Sequence, residues 1–214
     1  MTPGIFITFE GVEGCGKSTQ AKILWNRLNK LGIPTELTHE PGGTTLGNEV
    51  RRSLKRGRNE KISPEAELLL FAACRIQLLA EVIRPGLQAG RVIICDRFTD
   101  STTAYQGYGR GLDLTTIEEV NESTTRGIMP DLTILLDIPS ETGLSRKHTR
   151  GKDRFESEDI AFHHRVREGY IKIAALEPGR WLVIDATSSR TKVREAIWKG
   201  INHLLQERGI LKNG

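Results

Sequence analysis

The chain carries only three cysteines, Cys15, Cys74 and Cys95, in 214 residues. The number is odd and their spacing to the five histidines fits no metal site, so neither a disulfide framework nor a zinc centre is indicated and a reducing cytoplasm is expected. No apolar run is long enough to cross a bilayer, so no membrane role is expected. No signal peptide fits the start, because the short apolar run there leads straight into a glycine-rich loop. The net charge of +4 comes without the concentrated basic tract of a nucleic-acid binder, and suits acidic small-molecule substrates instead. Internal repeats and low-complexity segments are lacking too. A hydrophobic content of 37% over this length suits one soluble α/β domain with a sizeable core and small insertions.

The most informative segment present is Gly11-Val12-Glu13-Gly14-Cys15-Gly16-Lys17-Ser18. It follows the apolar run Ile5 to Phe9 and opens a helical pattern, the strand, loop and helix of a phosphate-binding loop. Glycines let backbone N–H groups turn inward on a polyphosphate, and the helix adds the positive end of its dipole. Lys17 is then expected to reach the β and γ phosphates, with the Ser18 hydroxyl on Mg²⁺.

Short β-branched or apolar runs recur at Ile5 to Glu10, Thr35 to His39, Arg91 to Asp96, Leu132 to Ile138 and Trp181 to Asp185. Helical patterns separate them: Lys17 to Leu31, Thr45 to Lys55, Pro64 to Leu87, Glu141 to Lys147, Glu158 to Leu176 and Thr191 to Arg208, with a further helix started by the capping box Thr115-x-x-Glu118. Such alternation predicts an α/β fold, a doubly wound parallel sheet with helices on both faces. The pair His163-His164 falls in a polar helical stretch and reads as solvated surface.

Candidate chemistry gathers at the carboxyl edge of that sheet, where ligands bind in open α/β folds. Asp96 and Arg97 end the third strand, either as an Mg²⁺ carboxylate beside a phosphate-gripping guanidinium or as a plain strand-end ion pair. Pro64 to Leu87 is apolar almost all round and should be buried, with Arg75 inside it. A buried guanidinium needs a structural carboxylate or a polar ligand. Phe71, one turn earlier on the same face, could stack on a planar base. Asp96 to Gly111 mixes hydroxyls, amide, aromatics and glycines as a specificity loop would, and Glu40-Pro41-Gly42-Gly43-Thr44 forms another glycine loop leading to the helix of Arg51. Arg146, Lys147, His148, Arg150, Lys152 and Arg154 crowd around Gly151, as a solvated face or as a lid over a triphosphate.

In this order, Phe9-Glu10-Gly11-x-Glu13-Gly14-x-Gly16-Lys17-Ser18-Thr19, Glu40-Pro41-Gly42-Gly43-Thr44, Phe71 with Arg75, Asp96-Arg97-Phe98, Ala104-Tyr105-Gln106-Gly107 and Asp153-Arg154-Phe155-Glu156 resemble the bacterial thymidylate kinases over nearly the whole chain. The resemblance implies a P-loop NTPase fold with a five-stranded parallel sheet, a lid at about 143–156, ATP- and Mg²⁺-dependent phosphorylation of thymidine monophosphate (dTMP) to the diphosphate, and a homodimer. It implies ATP on Gly11, Val12, Glu13, Gly14, Cys15, Gly16, Lys17, Ser18 and Thr19, and metal at Ser18 and Asp96. The acceptor would be bound by Glu13, Glu40, Arg51, Phe71, Arg75, Arg97, Ser101, Thr102, Tyr105 and Gln106. Within that set Glu13 would meet the sugar 3′-hydroxyl, Arg51 and Arg97 the monophosphate, Phe71 the thymine face, Arg75 and Thr102 its edge, and Tyr105 the 2′ position. Catalytic roles fall to Lys17 and Arg97, with Arg146 and Arg150 as lid arginines because Gly14 fills the loop position where other members carry an arginine. One departure is His39, where many relatives have arginine.

The acceptor oxygen is already anionic at neutral pH, so no general base is needed and catalysis rests on positioning and charge. The rivals are another nucleoside monophosphate kinase and a GTP-hydrolysing switch. The chain has neither the Asn-Lys-x-Asp segment nor the Asp-x-x-Gly after a strand expected of such switches by resemblance.

Overall fold

The structure is a computed structural model that describes residues 4–55, 62–146 and 153–211. Five strands, β1 (Ile5–Glu10), β2 (Thr35–His39), β3 (Val92–Asp96), β4 (Leu132–Asp137) and β5 (Trp181–Asp185), pair in parallel in the order β2-β3-β1-β4-β5. Every residue of the central strand β1 is buried, which is why it reads as a continuous apolar run rather than an alternating one. Its two faces feed different layers. Ile5, Ile7 and Phe9 pack with Leu24 and Leu28 of α1 (Lys17–Lys30) and Val193, Ile197 and Ile201 of α9 (Arg190–Glu207). Phe6 packs with Ile93 and Cys95 of β3, and with Leu78 of α3 (Pro64–Leu78).

The remaining helices are α2 (Thr45–Lys55), α4 (Arg84–Gln88), α5 (Thr99–Thr102), α6 (Leu114–Thr125), α7 (Ser140–Ser145) and α8 (Ile160–Leu176). The expected single helix to Leu87 is instead α3, a π-helical turn over Leu79–Ile83, and α4. Pro85 lies in the first turn of α4, and a proline has no N–H to donate to the preceding turn, so the wider turn absorbs the break. The same composite is not buried all round: Leu69 and Ile76 are 62% and 51% exposed and form an outward stripe with Ala73 and Ala80. Thr115 is not the cap of α6. Asp113 is, its carboxylate accepting the Thr116 N–H at 2.9 Å. His164 is exposed, as expected, and pairs with Glu141 at 2.7 Å. His163 is buried at 1% exposure against Phe162.

The stretch read as a specificity loop is helical as well, running through α5 into a π-helical turn over Thr103–Gly109. Its glycines serve packing. A side chain at Gly109 would strike Phe162 and Val166 of α8, and one at Gly107 would strike Leu114 of α6. This close approach turns Ser101, Thr102, Tyr105 and Gln106 toward the carboxyl edge of the sheet.

Candidate active site

Between β1 and α1 the backbone makes the expected cradle. Gly16 caps α1 at φ +102°, a left-handed conformation that suits glycine, and among the described residues no side chain caps the first N–H groups of the helix, which suits them to an anion. Lys17 is buried and its ammonium donates to the Gly11 and Val12 carbonyls, both at 2.9 Å, and to Cys15 Sγ at 3.4 Å. Gly14, at φ +71°, lies so close to α7 that an added Cβ would stand 1.9 Å from the Gly143 carbonyl oxygen.

The cradle opens into a cleft of about 680 Å³. Of the residues expected from the sequence, Glu13, Gly14, Gly16, Lys17, Ser18, Thr19, Glu40, Arg51, Phe71, Asp96, Arg97, Ser101, Thr102, Tyr105 and Gln106 line it. Gly11, Val12 and Cys15 form the loop behind the lining. Arg75 does not reach the cleft: it is fully buried, with Nη2 donating to Glu40 at 2.5 Å and to Thr102 Oγ1 at 2.5 Å, and Nη1 to Asn121 at 2.7 Å. The carboxylate partner is therefore present, and the residues that line the cleft in front of it are Glu40 and Thr102. Arg146 is exposed and donates to the Ala186 carbonyl at 3.1 Å, away from the cleft lining, and Arg150 lies outside the described residues.

At the mouth of the cradle Ser18 Oγ donates to Asp96 Oδ2, bringing a hydroxyl and a carboxylate together, the hard oxygen donors that suit Mg²⁺. Beside them Arg97 takes φ +76°, uncommon for a residue with a side chain, and the following N–H, of Phe98, is fixed on Glu10 Oε1 at 2.7 Å. Both terminal nitrogens of the Arg97 guanidinium are engaged. Nη2 donates to Glu13 Oε1 at 2.6 Å and Tyr105 OH at 3.0 Å, and Nη1 to Gly11 O, Ser101 Oγ and Tyr170 OH at 3.1, 3.2 and 3.1 Å. Arg51 enters from α2, with Nη1 on the Pro41 carbonyl at 2.8 Å. Burial, with Arg51 next, holds the His39 imidazole below its ordinary pKa, so the ring is uncharged at neutral pH.

Three parts of the site had no role assigned from the sequence, although Glu10 and Phe155 fall within the motifs that carry the family resemblance. Phe155 lines the cleft, with its ring 6.0 Å from Phe71 and 6.1 Å from Tyr105. Glu67, fully buried on α3, gathers Gln106, Arg110 and Arg154 onto one carboxylate and so fixes the segment that carries Phe155. Glu10 and Tyr170 stand behind Arg97. A helical run of alternating acid and apolar residues marks Glu67 no differently from a solvated glutamate.

The thymidylate kinase family model matches residues 9–197. A thymidylate kinase of Dehalococcoides mccartyi is 52% identical over 202 residues, covering 94% of this chain and 98% of its own length. One from Trichlorobacter lovleyi is 49% identical over 200 residues, covering 90% and 94%. The crystal structure of the Ehrlichia chaffeensis thymidylate kinase superposes with a TM-score of 0.76 at 36% identity, over 93% of this chain and 99% of that one, so the parallel sheet and its loop are the P-loop NTPase fold. With match, fold and cleft in agreement, the chain belongs to the thymidylate kinase family, nucleoside monophosphate kinases that convert dTMP to dTDP.

Proposed function

We propose that the chain transfers the γ-phosphoryl group of ATP directly and in line to dTMP, with Mg²⁺, as a cytoplasmic step toward dTTP. The observation that carries this reading is that the phosphate cradle, the Ser18–Asp96 oxygen pair and the cations Lys17, Arg51 and Arg97 converge on one cleft. ATP sits on Gly11 to Thr19, and Ser18 and Asp96 would hold Mg²⁺, which supplies charge neutralisation on the phosphate oxygens. Arg97 and Arg51 hold the acceptor monophosphate, Phe71 stacks on the thymine, and Arg75 reads the base edge through Thr102. Glu13 meets the sugar and Tyr105 crowds the 2′ position, with Glu40, Ser101 and Gln106 completing the acceptor side.

The obstacle is repulsion between two anions, and cations held in a partly dehydrated cleft lower it more than they could in water. Lys17 and Arg97 do this from fixed elements, and Arg146 and Arg150 from the lid, about residues 143–156 of one kinase domain. The outward stripe of Leu69, Ala73, Ile76 and Ala80 supports a homodimer through α3. Neither nucleic acid nor membrane is a partner in this reading.

A coupled assay of ATP consumption across nucleoside monophosphates tests it. Turnover is expected with dTMP and Mg²⁺ and is lost with chelator, and ATP hydrolysis without any monophosphate would sink the reading. Arg150→Ala should lower turnover by about 10³-fold or more while changing dTMP affinity little, the range for an arginine supplied at a phosphoryl-transfer transition state. Unchanged turnover would remove Arg150 from the mechanism.

A further inference from the structure

Glu10 ends β1 under the cradle and is fully buried. Its Oε2 accepts from Ser101 Oγ at 2.6 Å and from Tyr170 OH at 2.9 Å, and those two hydroxyls are 2.7 Å apart. Both hydroxyl oxygens also accept from Arg97 Nη1. The carboxylate is thus one hydroxyl removed from the guanidinium that faces the acceptor.

Counting protons shows what this triangle of oxygens lacks. It has three short edges, and with Glu10 ionised only two hydroxyl protons fill them. A third proton, on Oε2, completes the ring. Burial, with Asp100 next, pushes Glu10 up to about 7, against the pull of Arg97, Ser101 and the Phe98 N–H. The charged and titratable groups around it are few. Asp100, on α5, is itself held by Arg180 at 2.7 Å, Tyr170 comes from α8, and the Cys95 thiol on β3 is kept protonated by burial. Arg97 is shared on its far side with Glu13 and Tyr105.

We propose that Glu10 is a positioning residue that takes up a proton when a dianionic phosphate monoester engages Arg97, so that acceptor binding and protonation are linked. An ionised Glu10 neutralises Arg97 through the two hydroxyls, and a protonated one leaves more of the guanidinium charge for the acceptor. The proton comes from solvent and goes to Oε2, the Ser101 and Tyr170 hydroxyls reorient to close the ring, and no bond to phosphorus changes. This rests on the reading of Arg97 as the holder of the acceptor phosphate.

Calorimetric titration of the full chain with dTMP, in two buffers of different ionisation enthalpy at about pH 7 to 8, reads the proton directly, since free dTMP is mostly dianionic there with a second pKa of about 6. Uptake of a fraction of a proton is expected with dTMP and none with thymidine. The dTMP KM should rise above neutrality by up to about tenfold per pH unit, the limit for one linked proton. Glu10→Gln should abolish the uptake and flatten the slope, whereas a purely structural Glu10 would lower stability and keep both. If Glu10→Gln does not fold, Tyr170→Phe removes a donor to the ionised form and should shift the uptake to higher pH. Uptake that persists in Glu10→Gln, or fails to shift in Tyr170→Phe, overturns the proposal. Arg97→Ala separates the two readings: dTMP affinity equal to the parent's removes Arg97 from acceptor binding, whereas weakened affinity with uptake intact in Glu10→Gln sinks the role of Glu10 alone.

Discussion

Arg97 Nη2 donates to Glu13 Oε1 at 2.6 Å, so the residue just beyond β3 and the first acid of the phosphate loop are joined across the sheet edge. A guanidinium can meet Glu13, Tyr105, Ser101, Tyr170 and a carbonyl at once because its donors fan out in a plane.

Arg97→Lys should therefore behave as a severe change. An ammonium keeps the charge but cannot span both nitrogens' partners, so kcat/KM for dTMP should fall by about a hundredfold, the worth of two charge-assisted hydrogen bonds at about 1.5 kcal/mol each. Steady-state kinetics check it, and parental values for the lysine variant would show that only charge matters.

Gly14→Ala should lower the thermal midpoint of the ligand-free protein by several degrees. The new methyl would collide with the Gly143 carbonyl, whereas Gly32, at a similar φ of +73°, has nothing within 4 Å of the same position. Gly32→Ala thus isolates the backbone term, about 1 kcal/mol or somewhat more. Equal losses in the two variants would mean that the loop moves aside freely.

Arg75 and Glu40 form an ion pair with side chains 0% and 2% exposed. Removing one partner strands the other, so Arg75→Met and Glu40→Gln should each cost about 3–5 kcal/mol in denaturant unfolding, and the double variant less than their sum. Strict additivity would deny the coupling. If Arg75 also reads the base, Arg75→Ala will weaken discrimination between thymidine and cytidine monophosphates.

Acid stability should depend on His163. Burial holds its pKa below the ordinary value, and neither ring nitrogen has a hydrogen-bond partner among the described residues. Below about pH 6.5 the unfolded chain binds a proton that the folded one resists, so stability is lost as pH falls through that range. His163→Phe, placed beside Phe162, should flatten the profile below about pH 6.5. A slope identical to the parent's would assign the loss to other groups.

Much of this was legible in the residues themselves. Each strand is an apolar or β-branched run closed by an acid or a turn, and all five fall within a residue of their expected bounds. The cradle was legible because glycine spacing there answers a backbone need. The π-helical turns were not, since no side chain demands one: that at Leu79–Ile83 follows from Pro85, two positions beyond its end, and that at Thr103–Gly109 from α6 packing on Gly107 and α8 on Gly109. The burial of Glu10 and Glu67 was not legible, Glu10 standing within a family motif and Glu67 in none, because it is decided by elements distant in the chain. His163 and His164 differ only in which side of α8 they occupy, and adjacent identical residues offer no pattern to separate them.

The abutment of Gly14 on Gly143 reaches into the lineage of the enzyme. The contact is with backbone, so no exchange of side chains relieves it: a descendant that gains a side chain at position 14 has to carry α7 outward, and until then natural selection has one place fewer from which to recruit a cation for the moving phosphoryl group.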